Sequence, residues 1–448
     1  MPGKTNLRTY CIRTFGCQMN THDSEHIAGV LEEAGMQQAP DGIEGADLVV
    51  FNTCSVRHGA ERRVWGNLLS LRSRSEGGPL VAVGGCMAQR YGRGILERAP
   101  CVDLVFGVST LRRLPELVNM SVDKRLVELG DLGNAEIDKC PSARTKVMQA
   151  WVPVSYGCDN SCSYCVVPMV RGKHRSRPAG QILEEVRRLV SQGVVEVTLL
   201  GQNVNDYGRD LPEEIDFPSL LEKIAGISGI VRVKFETSHP ANISPKLLEA
   251  MAENQAVCEY LHIPVQSGSD RVLDAMQRGY HRDSYLETVR AARELVPSIV
   301  VSTDIIVGYP GETDSDFFGT LDLVKEVGFD MAYMFKYSMR EGTLASLEAD
   351  DVPAAVKAER LRELQKLQGD LTRRSLSQLV GRTVEVLVEG RARKGDFNRG
   401  RSRDNRVVLL PVDEAPVESL VRARVTSSGD HCVTGTVEEV LADRSTKE

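Results

Sequence analysis

The chain lacks a long apolar run, an apolar leader and any overall excess of basic residues. No stretch of about eighteen consecutive apolar residues occurs, so the sequence predicts no membrane-spanning helix. The segment Met1–Tyr10 has no apolar core of the kind found in secretory signals, which predicts a cytoplasmic protein. The formal net charge of −7 does not indicate a nucleic-acid-binding protein.

An average charge can nevertheless hide local basic surfaces. Two basic stretches occur, at Arg171–Arg177 and Arg391–Arg406. Either one, taken alone, is more simply interpreted as a solvated surface segment.

Disulfide bonds are not expected either. Eleven cysteines is an odd number, and the cytosol keeps thiols reduced. Clustered cysteines in such a protein more often bind a metal or take part in catalysis.

The 448 residues are too many for one core, and the length suggests about three domains. In the first third, short apolar runs alternate with helix-like stretches, which is typical of a doubly wound parallel sheet. The strands expected there are Tyr10–Thr14, Asp47–Asn52 and Leu80–Val83. The pattern weakens over residues 114–145, a segment with Gly130, Gly133 and Pro141 that is interpreted as a linker.

The middle third repeats the alternation six times and predicts an open or partial (β/α)6 barrel. Its expected strands are Val152–Ser155, Val194–Leu200, Val231–Phe235, Glu259–Val265, Ile299–Val307 and Met331–Tyr337. A charged helical segment, Val356–Gln378, follows the barrel.

The last part of the chain is rich in short β runs and predicts a small all-β barrel of a size used for RNA binding. Its expected strands are Thr383–Glu389, Arg406–Leu410, Leu420–Val425 and Val433–Leu441. The fold class is therefore α/β with an all-β C-terminal part, and the predicted domains are residues 1–135, 145–375 and 378–445.

Three cysteines follow the first barrel strand with the spacing C-x3-C-x2-C, at Cys158, Cys162 and Cys165. A short loop of this spacing can direct three thiolates to one centre, and thiolates are the ligands of iron–sulfur clusters. Barrel enzymes carry out their chemistry at the carboxyl ends of the strands, which agrees with this position. A structural zinc site with His174 as fourth ligand is the alternative.

A second set, Cys17, Cys54 and Cys86, is widely spaced in sequence, but each member lies just past an expected strand. Successive parallel strands end at the same edge of a sheet, so the three thiols are expected to converge on a second metal centre. Buried structural cysteines are the alternative. Structural roles are also assigned to the remaining cysteines, which are Cys11, Cys101, Cys140, Cys258 and Cys432.

With an aromatic residue before its last cysteine, the C-x3-C-x2-C loop resembles the radical S-adenosylmethionine superfamily. The whole chain resembles the methylthiotransferase family, whose small C-terminal barrel is called TRAM. The segments that carry this resemblance include Thr14–Asn20, Asn52–Cys54, Gly84–Cys86, Leu200–Asn205, Thr237–Pro240, His262–Ser269 and Thr303–Glu312. Gly201–Val204 and Ser238–Pro240 are similar to the branch that acts on N6-isopentenyladenosine beside the tRNA anticodon. Two departures from that branch, at Met169–Val170 and at Met339 with Glu341, affect no cluster ligand.

The resemblance implies an enzyme with two 4Fe–4S clusters, one on each cysteine set, that uses two molecules of S-adenosylmethionine. One molecule donates a methyl group to sulfur at Cys17, Cys54 and Cys86. The other is cleaved at Cys158, Cys162 and Cys165 to give the radical that takes hydrogen from C2 of the adenine. The implied substrate is tRNA, and the implied helpers are a sulfur donor and an electron donor such as flavodoxin or ferredoxin. We expect a monomer.

Further predictions concern the residues that contact S-adenosylmethionine and RNA. Tyr164 resembles a superfamily residue beside the adenine of S-adenosylmethionine, with a core tyrosine as the alternative. Gln202, Asn203, Ser302 and Asp304 follow or lie on barrel strands and are expected near the same ligand, unless they are ordinary polar barrel residues. The residues expected to contact RNA phosphates are Arg171, Lys173, Arg175, Arg399, Arg401, Arg403 and Arg406.

Two other functions fit parts of the sequence. A sister branch of the family modifies an aspartate of a ribosomal protein, and the basic tail argues mildly against it. A zinc-stabilised RNA-binding protein without catalytic activity is the second alternative.

Overall fold

The computed structural model describes residues 7–56, 58–71, 77–134, 140–144 and 146–443. The chain forms two compact units. The first consists of residues 1–145, 156–160 and 165–174, and the second of residues 146–155, 161–164 and 175–448. The three predicted domain ranges stay a prediction.

The first unit is built on a six-stranded sheet in which all neighbouring strands are parallel. Its strands are β1 Thr9–Thr14, β2 Gln37–Gln38, β3 Leu48–Thr53, β4 Leu80–Gly85, β5 Leu104–Phe106 and β6 Leu126–Glu128. They lie in the order β2-β1-β3-β4-β5-β6, so β1, β3 and β4 are neighbours. Every residue of β3 and β4 is buried, as expected for central strands with both faces covered. The predicted parallel sheet is confirmed.

Helices connect these strands. They are α1 Gln18–Glu33, α2 His58–Leu69, α3 Cys86–Tyr91, α4 Arg93–Arg98 and α5 Leu114–Met120, with 3-10 turns at Val108–Arg113 and Leu132–Asn134. The expected linker is therefore partly wrong, because α5 and the edge strand β6 lie within it. Residues 135–139 and 145 of that segment lie outside the described residues.

The second unit contains the six expected barrel strands. The strands of this region are β7 Gln149–Pro153, β8 Ser155–Tyr156, β9 Arg175–Ser176, β10 Glu196–Leu200, β11 Arg232–Phe235, β12 Tyr260–His262, β13 Val300–Val307 and β14 Met331–Lys336. Two parallel three-stranded sheets, β11-β10-β7 and β12-β13-β14, form the barrel wall. Val233 joins them, since its N–H donates to Ala256 O and its carbonyl accepts from Cys258 N–H. The partial barrel is confirmed.

One further helix, α6 Val167–Arg171, belongs to the first unit. The helices of the second unit are α7 Ala179–Ser191, α8 Phe217–Ala225, α9 Pro245–Glu253, α10 Asp270–Ala275, α11 Arg282–Leu295, α12 Asp314–Val327 and α13 Ala354–Ser377. Short 3-10 turns occur at Val204–Asp206, Pro240–Asn242 and Leu344–Leu347. The strand residues that face these helices, such as Val152, Leu199 and Val301, form one large apolar core. The alternate residues of these strands, such as Lys234, His262 and Ser302, face the barrel interior and are largely polar. No helix in the described ranges has the length and apolar character needed to cross a bilayer.

The C-terminal part is a closed five-stranded barrel in the order β15-β16-β17-β19-β18. Its strands are β15 Thr383–Arg391, β16 Phe397–Ser402, β17 Val407–Pro411, β18 Ser419–Ser428 and β19 Val433–Asp443. The small all-β barrel is confirmed, but β16 was not among the expected strands. This barrel packs on the larger one through Arg232, whose side chain is fully buried and donates to Glu385 Oε1 over 2.7 Å and to Glu385 O over 2.7 Å.

Candidate functional site

The first cysteine set lies at the carboxyl ends of three neighbouring strands. Cys17 caps the N-terminus of α1 after β1, Cys54 directly follows β3, and Cys86 begins α3 directly after β4. Cys54 and Cys86 are buried, and Cys17 is half-buried. The structure therefore brings the three strand ends together at one edge of the sheet, as the sequence predicted. Their role as cluster ligands stays a prediction.

A glycine and a buried asparagine hold the loop of Cys17 against the end of β3. A Cβ atom on Gly16 would lie 2.0 Å from Asn20 Oδ1 and 2.9 Å from Cys54 Cβ, so only glycine fits there. Asn20 is fully buried, and its Oδ1 accepts from Cys17 N–H over 3.3 Å while its Nδ2 donates to Thr53 O over 3.2 Å. One amide thus links the loop after β1 to the end of β3.

A buried ion pair stands beside Cys86. The Nη2 of Arg171, at the end of α6, donates to Asp23 Oδ2 over 2.7 Å, and its Nε donates to Cys86 Sγ over 3.2 Å. Burial raises the pKa of Cys86, and Arg171 opposes that effect. Burial also opposes ionisation of Asp23, but Arg171 and His22 together outweigh burial and lower the pKa of that carboxyl.

This placement corrects the expectation that Arg171 contacts RNA phosphates. Its side chain is 4% exposed, and its guanidinium is already bound to a carboxylate and a thiol. A buried, paired guanidinium does not reach a phosphate on another molecule. Arg171 instead supplies positive charge beside the first cysteine set.

The second cysteine set occupies the loop that separates β8 from α6. Cys158 is buried and its N–H donates to Gly172 O over 3.1 Å, whereas Cys165 Sγ accepts from Val167 N–H over 3.4 Å. Gly157 precedes this set with a φ of 71°, and a Cβ there would lie 2.0 Å from Lys173 O. The loop therefore requires glycine at that position.

Cys162 is contacted by a second buried arginine. The Nη1 of Arg278 donates to Cys162 Sγ over 3.1 Å, and the whole residue is 6% exposed. The neighbouring Ser163 is fixed by Tyr309 Oη at 2.8 Å and by its N–H donating to Met276 O. Nothing in the sequence distinguishes Arg278 from the surface arginines, and its role was missed.

Tyr164 packs against a core cluster but is only partly buried. Its ring packs against a small apolar cluster with Val272, Met276 and Tyr309, which favours a core residue. It remains half-buried, and its Oη accepts from Arg278 Nη1 over 3.4 Å. The adenine contact stays a prediction.

Buried polar atoms collect where β7, β10 and β11 end. Five of them find no hydrogen-bond partner in the described part of the chain: Ser155 Oγ, Gln202 Oε1, Asn203 Oδ1, Ser238 Oγ and His239 Nδ1. Buried polar atoms are ordinarily satisfied, so such a group indicates a binding site for a polar molecule. Gln202 and Asn203 were predicted, and Ser238 and His239 were noted only as a family motif.

The imidazole ring of His239 is neutral in this site at physiological pH. Burial lowers its pKa to about 3, and the charge of Arg278 adds to the effect. The ring also packs edge-on against Tyr280, with 5.6 Å between ring centroids. His239 therefore offers a neutral ring nitrogen rather than a positive charge.

Ser302 and Asp304 face the barrel interior from β13. Ser302 Oγ lies 2.8 Å from His262 Nδ1 and donates to Tyr260 Oη over 2.8 Å. Asp304 Oδ2 lies 3.7 Å from His262 Nε2 and is 31% exposed. Ser302 is thus hydrogen-bonded to protein groups, while the carboxylate of Asp304 remains partly exposed.

The basic residues predicted to bind RNA differ in their surroundings. Lys173 is exposed and Arg175 is half-buried. Arg399 and Arg401 share one carboxylate, Glu389, at 3.0 and 3.3 Å, and so leave an excess of positive charge.

Arg403 and Arg406 are bound to other parts of the second unit. Arg403 pairs with Glu259 at 3.1 Å and also donates to two backbone carbonyls. Arg406 pairs with Asp330 at 2.7 Å and donates to Ser375. These contacts correct the expectation for both residues, because they hold the small barrel in place and leave little of either guanidinium for phosphate.

The donor set suits iron–sulfur clusters, since six thiols form two sets and each set is contacted by a buried guanidinium. Within the described residues, no three His, Cys, Asp or Glu side chains lie close enough to bind one metal ion. Thiolates of a cluster bind different irons, so they lie farther apart than the ligands of a single ion.

Comparison with known proteins identifies the family. Residues 152–324 match the family model described as Radical SAM superfamily, and residues 9–107 match the one described as Uncharacterized protein family UPF0004. The tRNA-2-methylthio-N(6)-dimethylallyladenosine synthase of Caldicellulosiruptor saccharolyticus is 42% identical over 96% of this chain and 92% of its own length. The protein of that name from Moorella thermoacetica is 43% identical over 94% of this chain and 96% of its own.

Solved structures agree on the fold. The radical S-adenosylmethionine methyltransferase TsrM from Kitasatospora setae aligns with a TM-score of 0.56 over 76% of this chain and 74% of its own, at 13% identity. The chain is thus an enzyme whose cofactors are S-adenosylmethionine and 4Fe–4S clusters. It belongs to the radical-SAM methylthiotransferase family, in the branch of the tRNA-2-methylthio-N6-dimethylallyladenosine synthases.

Proposed function

We propose that this enzyme adds a methylthio group to C2 of N6-isopentenyladenosine at position 37 of tRNA, next to the anticodon. Two molecules of S-adenosylmethionine are used, one as methyl donor and one as radical source. The observation that carries this proposal is the pair of cysteine sets, each at the carboxyl ends of strands and each contacted by a buried arginine.

Cys17, Cys54 and Cys86 would hold one cluster, and Cys158, Cys162 and Cys165 the other. When bound, these cofactors supply sulfur, a methyl group and the one-electron chemistry that opens an unactivated C–H bond. Such a bond has no useful acidity, so a general base cannot replace that chemistry. The protein's own task is to hold and enclose the reactants.

The unsatisfied atoms of Gln202, Asn203, Ser238 and His239 would bind the polar parts of S-adenosylmethionine or of the adenosine. Asp304, accessible in the barrel, would add an acceptor. Because His239 is neutral, it can pair with a neutral base without placing a charge in the buried site.

The small barrel would bind the tRNA phosphates through Arg399 and Arg401. These two positive charges share the single carboxylate of Glu389 and are therefore only partly neutralised. Lys173 and Arg175 would add contacts near the second cysteine set. A base that reacts inside a barrel must leave its stack, at a cost of roughly a few kcal/mol that is smaller in a loop than in a duplex.

The test is to express the chain in a bacterial strain that lacks its own tRNA methylthiotransferase and to analyse the tRNA nucleosides by mass spectrometry. We expect 2-methylthio-N6-isopentenyladenosine to appear with the wild type and to be absent with Cys17→Ala or Cys158→Ala. Cys432→Ala is the matched control, because this half-buried cysteine belongs to neither set and its variant keeps the activity.

Methylthiolation of a ribosomal-protein aspartate in the same strain, with unmodified tRNA, would contradict the proposal. The names of the full-length relatives favour tRNA. A low-potential electron donor such as flavodoxin or ferredoxin, a sulfur donor, a monomeric state and a cytoplasmic location complete the proposal.

A further inference from the structure

Arg278 is a buried cation, and each of its three side-chain nitrogen atoms donates to a protein group. Its Nε donates to Tyr280 Oη over 3.0 Å, its Nη2 to Pro264 O over 3.1 Å and its Nη1 to Cys162 Sγ over 3.1 Å. The guanidinium is therefore held in one orientation against the middle cysteine of the C-x3-C-x2-C loop.

The charge of this guanidinium is not balanced by a carboxylate. Across the described residues, no Asp or Glu forms an ion pair with Arg278, whereas Arg171 at the other cysteine set pairs with Asp23 at 2.7 Å. An arginine does not lose its proton in a protein, and a buried unpaired charge is strongly destabilising. The counter-charge must therefore come from the sulfur ligand that Arg278 contacts.

We infer that Arg278 is a positioning residue that compensates the negative charge of the cluster at Cys158, Cys162 and Cys165 and raises its reduction potential. The inference rests on the proposed function, which assigns a cluster to these cysteines. Reduction adds one electron from an external low-potential donor and breaks no bond. The reduced state carries one more negative charge, so a cation 3.1 Å from a ligand sulfur stabilises it more than the oxidised state.

The experiment isolates this cluster in the full chain that carries Cys17→Ala, Cys54→Ala and Cys86→Ala. In that background we compare Arg278 with Arg278→Lys, which keeps the charge, and Arg278→Gln, which removes it. Each protein is reconstituted with iron and sulfide without oxygen, and its reduction is followed by electron paramagnetic resonance at defined potentials. Iron content and far-UV circular dichroism are measured on the same samples.

At the midpoint potential of the parent, we expect Arg278→Gln to favour the oxidised form at least tenfold, which corresponds to a midpoint about 59 mV more negative. Arg278→Lys should stay much closer to the parent. If Arg278→Gln loses iron while Arg278→Lys retains it, the need for a positive charge is equally supported.

An Arg278→Gln protein with full iron content and the parent's midpoint would overturn the inference. So would loss of iron from both variants, because lysine retains the charge. If the parent background itself forms no 4Fe–4S cluster, it is the proposed function that fails.

Discussion

Gly85, directly before Cys86, shows how one residue position shapes the first cysteine set. Its φ is 86°, and a Cβ atom there would lie 2.5 Å from Thr53 O and 2.6 Å from Asn52 Oδ1. Both neighbours are fully buried and cannot move aside. We expect Gly85→Ala to lower the free energy of unfolding by about 2–4 kcal/mol, from the strained backbone and the overpacking together. Urea denaturation of the apoprotein measures it.

Gly66 in α2 provides the matched control. A Cβ there meets open space, and alanine is the better helix former. Gly66→Ala should therefore stabilise the protein by about 0.5–1 kcal/mol. Equal changes in the free energy of unfolding for the two substitutions would show that crowding around Gly85 does not determine the effect of Gly85→Ala.

At the scale of elements, the apolar pattern predicted the parallel strands well, because strands that are buried on both faces consist of nearly continuous apolar residues. The strand β16, Phe397–Ser402, was missed because arginines and Gly400 interrupt it. Its register is supplied by pairing with β15 and β17. The edge strand β6 was missed for the related reason that it is only half-buried.

The neighbouring strands β10 and β11 also carry a buried ion network that makes stability depend on pH. Glu196 pairs with Lys234 at 2.9 Å and with Arg232 at 3.3 Å. Burial opposes its ionisation, but Lys234 and Arg232 outweigh burial and lower the pKa of Glu196 from 4.5 to about 2. A lowered pKa stabilises the fold above the unfolded value, and that stability is lost as the pH falls from about 4.5 towards 2.

We therefore expect Glu196→Gln to cost about 3 kcal/mol at pH 7. The difference from the wild type should shrink as the pH is lowered through that window. Urea denaturation of both proteins at a series of pH values tests this. A difference that stays constant down to the lowest pH at which both fold would contradict it.

For the whole molecule, the sequence predicted where the cysteines lie but not the charges around them. Strand ends follow from local periodicity, so both cysteine sets could be located. Arg171 and Arg278 become buried only through contacts between distant segments, and no local pattern marks such arginines. The same limit explains why Arg403 and Arg406 were assigned to RNA. Their partners Glu259 and Asp330 lie far away in sequence, so no local pattern indicates these ion pairs.

The net charge of −7 makes the distribution of basic residues decisive for tRNA binding. Arg401 is 29% exposed and shares Glu389 with Arg399, so its charge is only partly neutralised. We expect Arg401→Ala to weaken tRNA binding and to reduce the slope of log K against log salt by about 0.7–0.9, the equivalent of one phosphate contact. Binding titrations at several salt concentrations measure that slope.

Arg406→Ala is the control for this measurement. Its guanidinium pairs with Asp330 and Asp404 and is 11% exposed, so the substitution should lower stability and leave the salt slope unchanged. If Arg401→Ala keeps the wild-type slope, the small barrel does not grip phosphate through this residue. If Arg406→Ala reduces the slope as much as Arg401→Ala does, the division between docking and RNA-binding arginines is wrong.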